Sequence, residues 1–253
     1  MGSIEPEAVP LGGEITAPTS RKPRFLCLHG RGTSGAIMEK QVVGKWPHHV
    51  TSRMDLFFAD GPLPSKEGSS PVEGIFPPPY YEWIQYSEDF KDCQNFDESV
   101  AYIEDLMIKH GPFDGLMGFS QGAILSAALP GLQARGLALT KVPKIKWVVI
   151  ISGAVLPKPK VAQKAFGTKI ECRSLHFLGE EDFLKIHGEK LLKSFVDPLV
   201  IYHPKGHTVP KLVDENSLET MDAFLSMIES DIAKTVNDSA EEKSPIVGCA
   251  VSV

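Results

Sequence analysis

Phe113-Asp-Gly-Leu-Met-Gly-Phe-Ser-Gln-Gly-Ala-Ile-Leu125 decides how this chain folds. Leu116 and Met117 give it an apolar, strand-like start, Gly118 and Gly122 bracket Ser120, and Ala123, Ile124, Ala127 and Ala128 then recur at helical spacing. A strand that turns into a helix around a serine between two glycines is a nucleophile elbow. The glycines let two backbones pass close together, and the strained turn holds the hydroxyl out at the sheet edge. The pattern G-x-S-x-G is weak by itself; the flanking strand and helix give it meaning, and the helix N-terminus directs partial positive charge at Ser120. The competing reading is a structural serine in a turn.

On either side of the elbow, strand and helix signals alternate. Strands are expected at 24–29, 54–59, 145–151, 173–178 and 198–203. Helices are expected at 36–43, 96–110, 184–195 and 218–232, the second with Val100, Ile103, Leu106 and Met107 on one face. The stretch carrying Pro157 and Pro159 reads as a loop. Continuous apolar strands alternating with helices predict an α/β fold: a mostly parallel central sheet flanked by helices on both faces. Residues 1–22 and 235–253 read as flexible tails around a single domain over 23–234, with 61–95 a proline-rich lid or insertion.

The bulk properties narrow the function. A net charge of −6, with no basic cluster beside aromatic residues, argues against a nucleic-acid partner. No apolar run approaches the roughly 18 residues that span a bilayer, and the N-terminal residues lack the basic and apolar regions of a secretory signal. Pro6 stands where a myristoylation signal at Gly2 wants Ser or Thr, and four residues follow Cys249, one too many for a prenylation box, so no stable membrane anchor is expected. Cys27, Cys93, Cys172 and Cys249 are scattered without metal-like spacing, which fits a reducing, cytoplasmic setting. No cofactor or metal is expected, and the oligomeric state is not legible.

A serine hydroxyl needs a base within hydrogen-bond reach and a third group to orient that base. In this architecture the chain order is serine, acid, histidine. His207 follows the last strand in His203-Pro-Lys-Gly-His-Thr-Val-Pro210; Pro204 and Gly206 break any helix there, which argues against His203 and His207 pairing on a metal. The acid belongs on the preceding loop, where Glu180, Glu181 and Asp182 compete. Asp182 is preferred because it stands just before a helix, although capping that helix is the competing role. Backbone N–H donors for an oxyanion are expected from Gln121 and from Arg31 in the glycine-bearing loop 29–35. That loop lacks the phosphate-binding glycine patterns. His29-Gly30, Ser120, Ser152-Gly153, Asp182 and His207 all follow expected strands, which places them at one edge of the sheet as one site.

Taken together, His29-Gly30, Gly118-Phe-Ser-Gln-Gly-Ala123, Ser152-Gly153, Gly179-Glu-Glu-Asp182 and His203-Pro-x-Gly-His-x-Val-Pro210 resemble the serine hydrolases of the FSH1 type, which include OVCA2-like esterases and fungal polyketide-releasing thioesterases. The resemblance covers roughly residues 22–233. It implies a single α/β-hydrolase domain that cleaves carboxylic esters or thioesters through Ser120, Asp182 and His207. Family members carry a bulky apolar residue after His-Gly; this chain has Arg31, which could face the pocket and pair with an acidic substrate group. His29, Gly30, Arg31, Ser152 and Val209 are expected to line the substrate pocket, with Phe76, Tyr80, Tyr81 and Trp83 supplying an aromatic lid over it. The expected partner is a small-molecule ester or thioester. An acyl-protein thioesterase or lysophospholipase shares a similar elbow, and a non-catalytic receptor on the same fold is the rival from another class.

Overall fold

Six apolar runs become the six strands of one sheet: β1 (Arg24–Leu28), β2 (Asp55–Ala59), β7 (Gly115–Phe119), β8 (Trp147–Ile151), β9 (Arg173–Gly179) and β10 (Leu199–His203). The computed structural model describes residues 21–241 apart from 67, 69 and 89–91, so most of both expected tails lies outside the described residues. Strand order is β10-β9-β8-β7-β1-β2, and every neighbouring pair is parallel.

The period-2 geometry of a strand sends alternate side chains to opposite faces, and both faces are covered. Val148 and Ile150 of β8 join one cluster, with Leu116, α3 (Phe96–His110), α4 (Gln121–Ala134) and α5 (Pro159–Phe166). Trp147, Val149 and Ile151 join the other, with Met38 and Val42 of α1 (Gly35–Val43) and Met221, Phe224 and Ile228 of α7 (Glu215–Glu241). A short helix α2 (His48–Thr51) and α6 (Lys185–Leu192) complete the helices. Among the described residues, no helix is long and apolar enough to cross a membrane.

Three local expectations differ from the structure. Pro159 does not extend a loop; it opens α5 at its first turn, where a missing N–H costs nothing. The closing helix continues to Glu241, past the expected start of the C-terminal tail. The segment 61–95 is not one structureless lid: it holds β3 (Leu63–Pro64) paired with β4 (Tyr81–Glu82), and β5 (Gln85–Tyr86) paired with β6 (Cys93–Gln94). Its middle is pinned to the body, since the Gln121 side chain accepts from the N–H groups of Trp83 (2.6 Å) and Ile84 (3.3 Å) and donates to the Ile84 carbonyl (2.8 Å).

Because β1 lies between β2 and β7, the chain runs outward from β1 in one direction and then in the other. A crevice opens at such a reversal, beyond the carboxyl ends of the strands. The loops after β1, β7, β8, β9 and β10 meet there.

Candidate active site

Ser120 sits between β7 and α4 with φ +53°, a left-handed conformation that costs a non-glycine residue on the order of 1–3 kcal/mol and persists only when its surroundings enforce it. They do so here by two hydrogen bonds, Ser120 N–H to the Ile151 carbonyl (3.0 Å) and Gly122 N–H to the His29 carbonyl (3.1 Å), which tie the turn to β8 and β1. A Cβ at Gly122 would stand 2.0 Å from the Leu28 carbonyl oxygen, so only glycine lets α4 start this close to β1.

His207 reaches this serine from the loop after β10. Its Nε2 lies 2.8 Å from Ser120 Oγ, and its Nδ1 lies 3.0 and 3.1 Å from the two oxygens of Asp182. The loops carrying Asp182 and His207 are held side by side by Glu180 N–H to the His203 carbonyl (2.8 Å). From the far side, Lys45 Nζ donates to the Val209 carbonyl (2.7 Å) and Trp46 Nε1 to that of Pro210 (3.1 Å). Lys45 and Trp46 carry no motif; their contribution comes from bonds spanning more than 160 residues, which no local pattern reveals.

Asp182 does not cap the helix that follows, since Leu184 is the N-cap of α6 and that helix has no side-chain cap; its Oδ1 instead accepts from Leu184 N–H at 2.8 Å, which fixes the carboxylate within its own loop. Burial raises its carboxyl pKa, but hydrogen bonding to His207 and to the Leu184 N–H, with the Ser152 hydroxyl nearby, outweighs burial and holds the group below its ordinary value. Ser152 itself is buried, and among the described residues its hydroxyl has no hydrogen-bond partner.

The two expected oxyanion donors flank the serine. Gln121 is the first residue of α4, so its N–H has no intrahelical acceptor. Gly30 passes so near that a Cβ there would lie 3.4 Å from Ser120 Cβ and 2.9 Å from the Phe119 ring, which brings the Arg31 backbone to the site. Among the described residues the Arg31 N–H has no acceptor.

A cavity of about 370 Å3 opens beside Ser120 and Gln121, walled by Ile124, Ala154, Val155, Pro157, Phe183 and Leu184, with Arg31, Tyr86 and His187 as its polar members. Of the residues expected to touch substrate, Arg31 lines it and the others do not. His29 is wholly buried; its Nδ1 bonds the Gly30 carbonyl (2.7 Å), its Nε2 accepts from Gly61 N–H (2.9 Å), and burial lowers its pKa to about 4. Trp83 is also fully buried, its indole donating to the His29 carbonyl (3.0 Å), and Val209 belongs to the core under the His207 loop. Gly30 and Ser152 support the machinery from behind. Phe76, Tyr80 and Tyr81 line a different cavity, of about 800 Å3, that has no wall in common with the one at Ser120. The segment 61–95 thus contributes Tyr86 to the serine's cavity, and not an aromatic lid. Burial pushes the Tyr86 phenol up to about 12, so it remains a protonated donor at neutral pH.

Phe183 and Tyr86 are the aromatic walls that sequence reasoning missed. Phe183 directly follows Asp182, and its ring centroid lies 4.4 Å from that of His207.

Comparison with known proteins agrees with this fold. The chain is 21% identical to maize (Zea mays) acyl-protein thioesterase 2, whose crystal structure superposes with a TM-score of 0.54 over 86% of this chain and 97% of that one. At that identity the likeness concerns the fold. The chain is 28% identical over 224 residues to the esterase OVCA2 of Bos taurus, covering 79% of this chain and 96% of that protein. It is 30% identical over 209 residues to a Schizosaccharomyces pombe protein named dihydrofolate reductase, covering 76% of this chain but only 45% of that protein, so the chain spans less than half of that relative's length. The profile of the serine hydrolase (FSH1) family matches residues 19–217, and the chain belongs to that family.

Proposed function

We propose that the chain hydrolyses carboxylic esters or thioesters by an acyl-enzyme route, with Ser120 as nucleophile, His207 as base and Asp182 orienting the base. The observation that carries this reading is the continuous hydrogen-bonded line from Ser120 Oγ to His207 Nε2 (2.8 Å) and from His207 Nδ1 to Asp182 (3.0 Å). In that line Nδ1–H donates to the carboxylate, leaving the Nε2 lone pair to accept the serine proton.

Attack forms the bond from Oγ to the acyl carbon, moves the carbonyl π pair onto oxygen and passes the serine proton to Nε2. Asp182 stabilises the imidazolium without itself taking the proton. The N–H groups of Gln121 and Arg31 receive the oxyanion, each worth on the order of 10²–10³ in rate. Collapse breaks the bond to the leaving oxygen or sulfur, which takes the proton from Nε2. Water then repeats the sequence on the acyl-enzyme and releases the acid.

The apolar walls of the cavity suit a short acyl chain, and the family's esterases support hydrolysis as the reaction type. The three described cysteines, all buried free thiols, suit a cytoplasmic setting. Initial rates on p-nitrophenyl esters of graded length test the reading. Wild type should show an optimum in acyl length, and Ser120→Ala should lose activity by a factor of at least about 10³. Turnover that survives Ser120→Ala would refute the nucleophile, and a wild type inert towards every ester would favour a receptor on this fold.

A further inference from the structure

The cavity beside Ser120 has a neighbour. Arg31 and Tyr86 also line a second cavity, of about 380 Å3, whose other walls include Lys66, Glu82, Gln85 and Gln94. The two chambers share a partition and differ in chemistry. One is walled mainly by aliphatic carbon; the other is walled by amides, a hydroxyl and charges. An ester likewise has two halves joined at the scissile carbonyl, an acyl group and a leaving group. An apolar chamber walled by Ser120, and a polar chamber that adjoins it across Arg31 and Tyr86, match those halves.

Arg31 is the informative residue of the partition. Its Nε lies 3.5 Å from Glu82 Oε1, an oxygen that also accepts from the Ser65 hydroxyl at 2.9 Å. That contact steadies one edge of the guanidinium. Arg31 makes no side-chain hydrogen bond to any described residue, and 41% of its side chain is exposed, so its remaining donors open onto the cavities. A planar guanidinium with donors to spare fits a carboxylate or phosphate in two-pronged fashion. The formal charges lining the polar chamber balance, Arg31 and Lys66 against Glu82 and Glu88, so an anion there is held by the guanidinium donors that Glu82 leaves free and not by a net positive field.

We propose that the polar cavity receives the substrate's leaving group, and that this group carries a carboxylate or phosphate gripped by Arg31. The proposal rests on the hydrolase reading above and adds the side of the scissile carbonyl on which the charge lies. The covalent step is the one already described: the C–S or C–O bond breaks, its electron pair departs with the anionic thiol or alcohol, and that atom takes the proton from His207 Nε2.

Thioesters with one acyl group and different thiols test it, the released thiol being read by a chromogenic disulfide. The set is S-butyryl-3-mercaptopropionate, its neutral methyl ester, the phosphate monoester of S-butyryl-mercaptoethanol, and cationic butyrylthiocholine. At low salt the better of the two anionic substrates should exceed the neutral one by about tenfold in kcat/KM, since charge-assisted hydrogen bonds exceed neutral ones by that order. The preference should shrink as salt rises. Whichever anion is favoured identifies the group. Arg31→Met should bring the ratio of anionic to neutral substrate near one, and Arg31→Lys should retain part of it. Because the readout is a ratio within each protein, a general loss of activity in a variant does not imitate the result. A wild-type ratio of one or less, or a ratio unchanged in Arg31→Met, overturns the proposal while the hydrolase reading stands. A wild type that cleaves neither these thioesters nor p-nitrophenyl butyrate overturns both.

Discussion

Phe183 is an aromatic residue in an unusual position: 74% of its surface is exposed, yet its ring rests against His207 and its side chain walls the cavity beside Ser120. An exposed ring that only decorated the surface would make neither contact. On the proposed acyl-enzyme reading, this exposed carbon surface is what an acyl chain in the cavity would cover. Burying part of a phenyl ring contributes about 1 kcal/mol, or roughly fivefold in affinity for the group that buries it. Phe183→Ala should therefore raise KM about fivefold for hexanoyl and octanoyl p-nitrophenyl esters and leave the acetyl ester nearly unchanged, whereas Phe183→Leu should keep most of the preference. An equal fall in kcat for all chain lengths would show that the ring acts on His207 and not on the acyl chain.

At the scale of elements, α4 does two jobs at its first residue. The Gln121 backbone begins the helix beside Ser120, while its side chain holds the Trp83–Ile84 backbone through three hydrogen bonds. Both Trp83 and Ile84 are fully buried, so water cannot replace a lost partner. Leaving buried backbone groups unsatisfied costs about 1–3 kcal/mol each, less than additively. Gln121→Ala should destabilise the protein by about 2–4 kcal/mol in chemical denaturation and speed amide exchange at Trp83 and Ile84. Unchanged exchange there would mean that other contacts hold the segment 61–95. This clamp also shows where the sequence was readable. The six strands, the elbow and the loops bearing Asp182 and His207 announce themselves through continuous apolar runs, through period-3.6 patterns and through position after a strand. Trp83 has no such periodicity around it. Its placement in the core depends on the His29 carbonyl, 54 residues away, and on Gln121, so an aromatic in a proline-rich stretch looks like a lid residue until those partners are known. Pro159 misleads for a local reason, because proline both ends helices and begins them. The cavity walls Val155 and Phe183 stand within three residues of Ser152 and Asp182, and only the tertiary turn of each loop decides that they face Ser120.

For the molecule as a whole, buried histidines tie stability to pH: burial lowers the pKa of His203, and it lowers those of two others further. His176, on β9, is almost completely buried, with neither ring nitrogen partnered among the described residues and its ring edge-on to Phe195; burial lowers its pKa to about 3. His29 is lowered to about 4, by burial again, against small opposing effects of the Gly30 carbonyl and Asp60. In the unfolded chain both rings face water and ionise at the ordinary histidine value of 6.5. Above that pH neither state binds a proton at these rings, and they contribute no slope. Below it the unfolded chain takes up protons that the folded protein refuses, so stability falls as pH drops, until the folded pKa values are reached. The slope approaches about 1.4 kcal/mol per pH unit for each ring. Between pH 7 and pH 5 the two together should cost about 4 kcal/mol, a large share of the 5–15 kcal/mol typical of a folded domain. Urea unfolding at the two pH values measures this loss. His176→Met replaces an unsatisfied imidazole with an apolar side chain of similar size; it should leave stability at pH 7 equal or higher and remove about 2 kcal/mol of the loss at pH 5. A variant that unfolds with the full wild-type pH dependence would show that His176 is not the group holding off the proton.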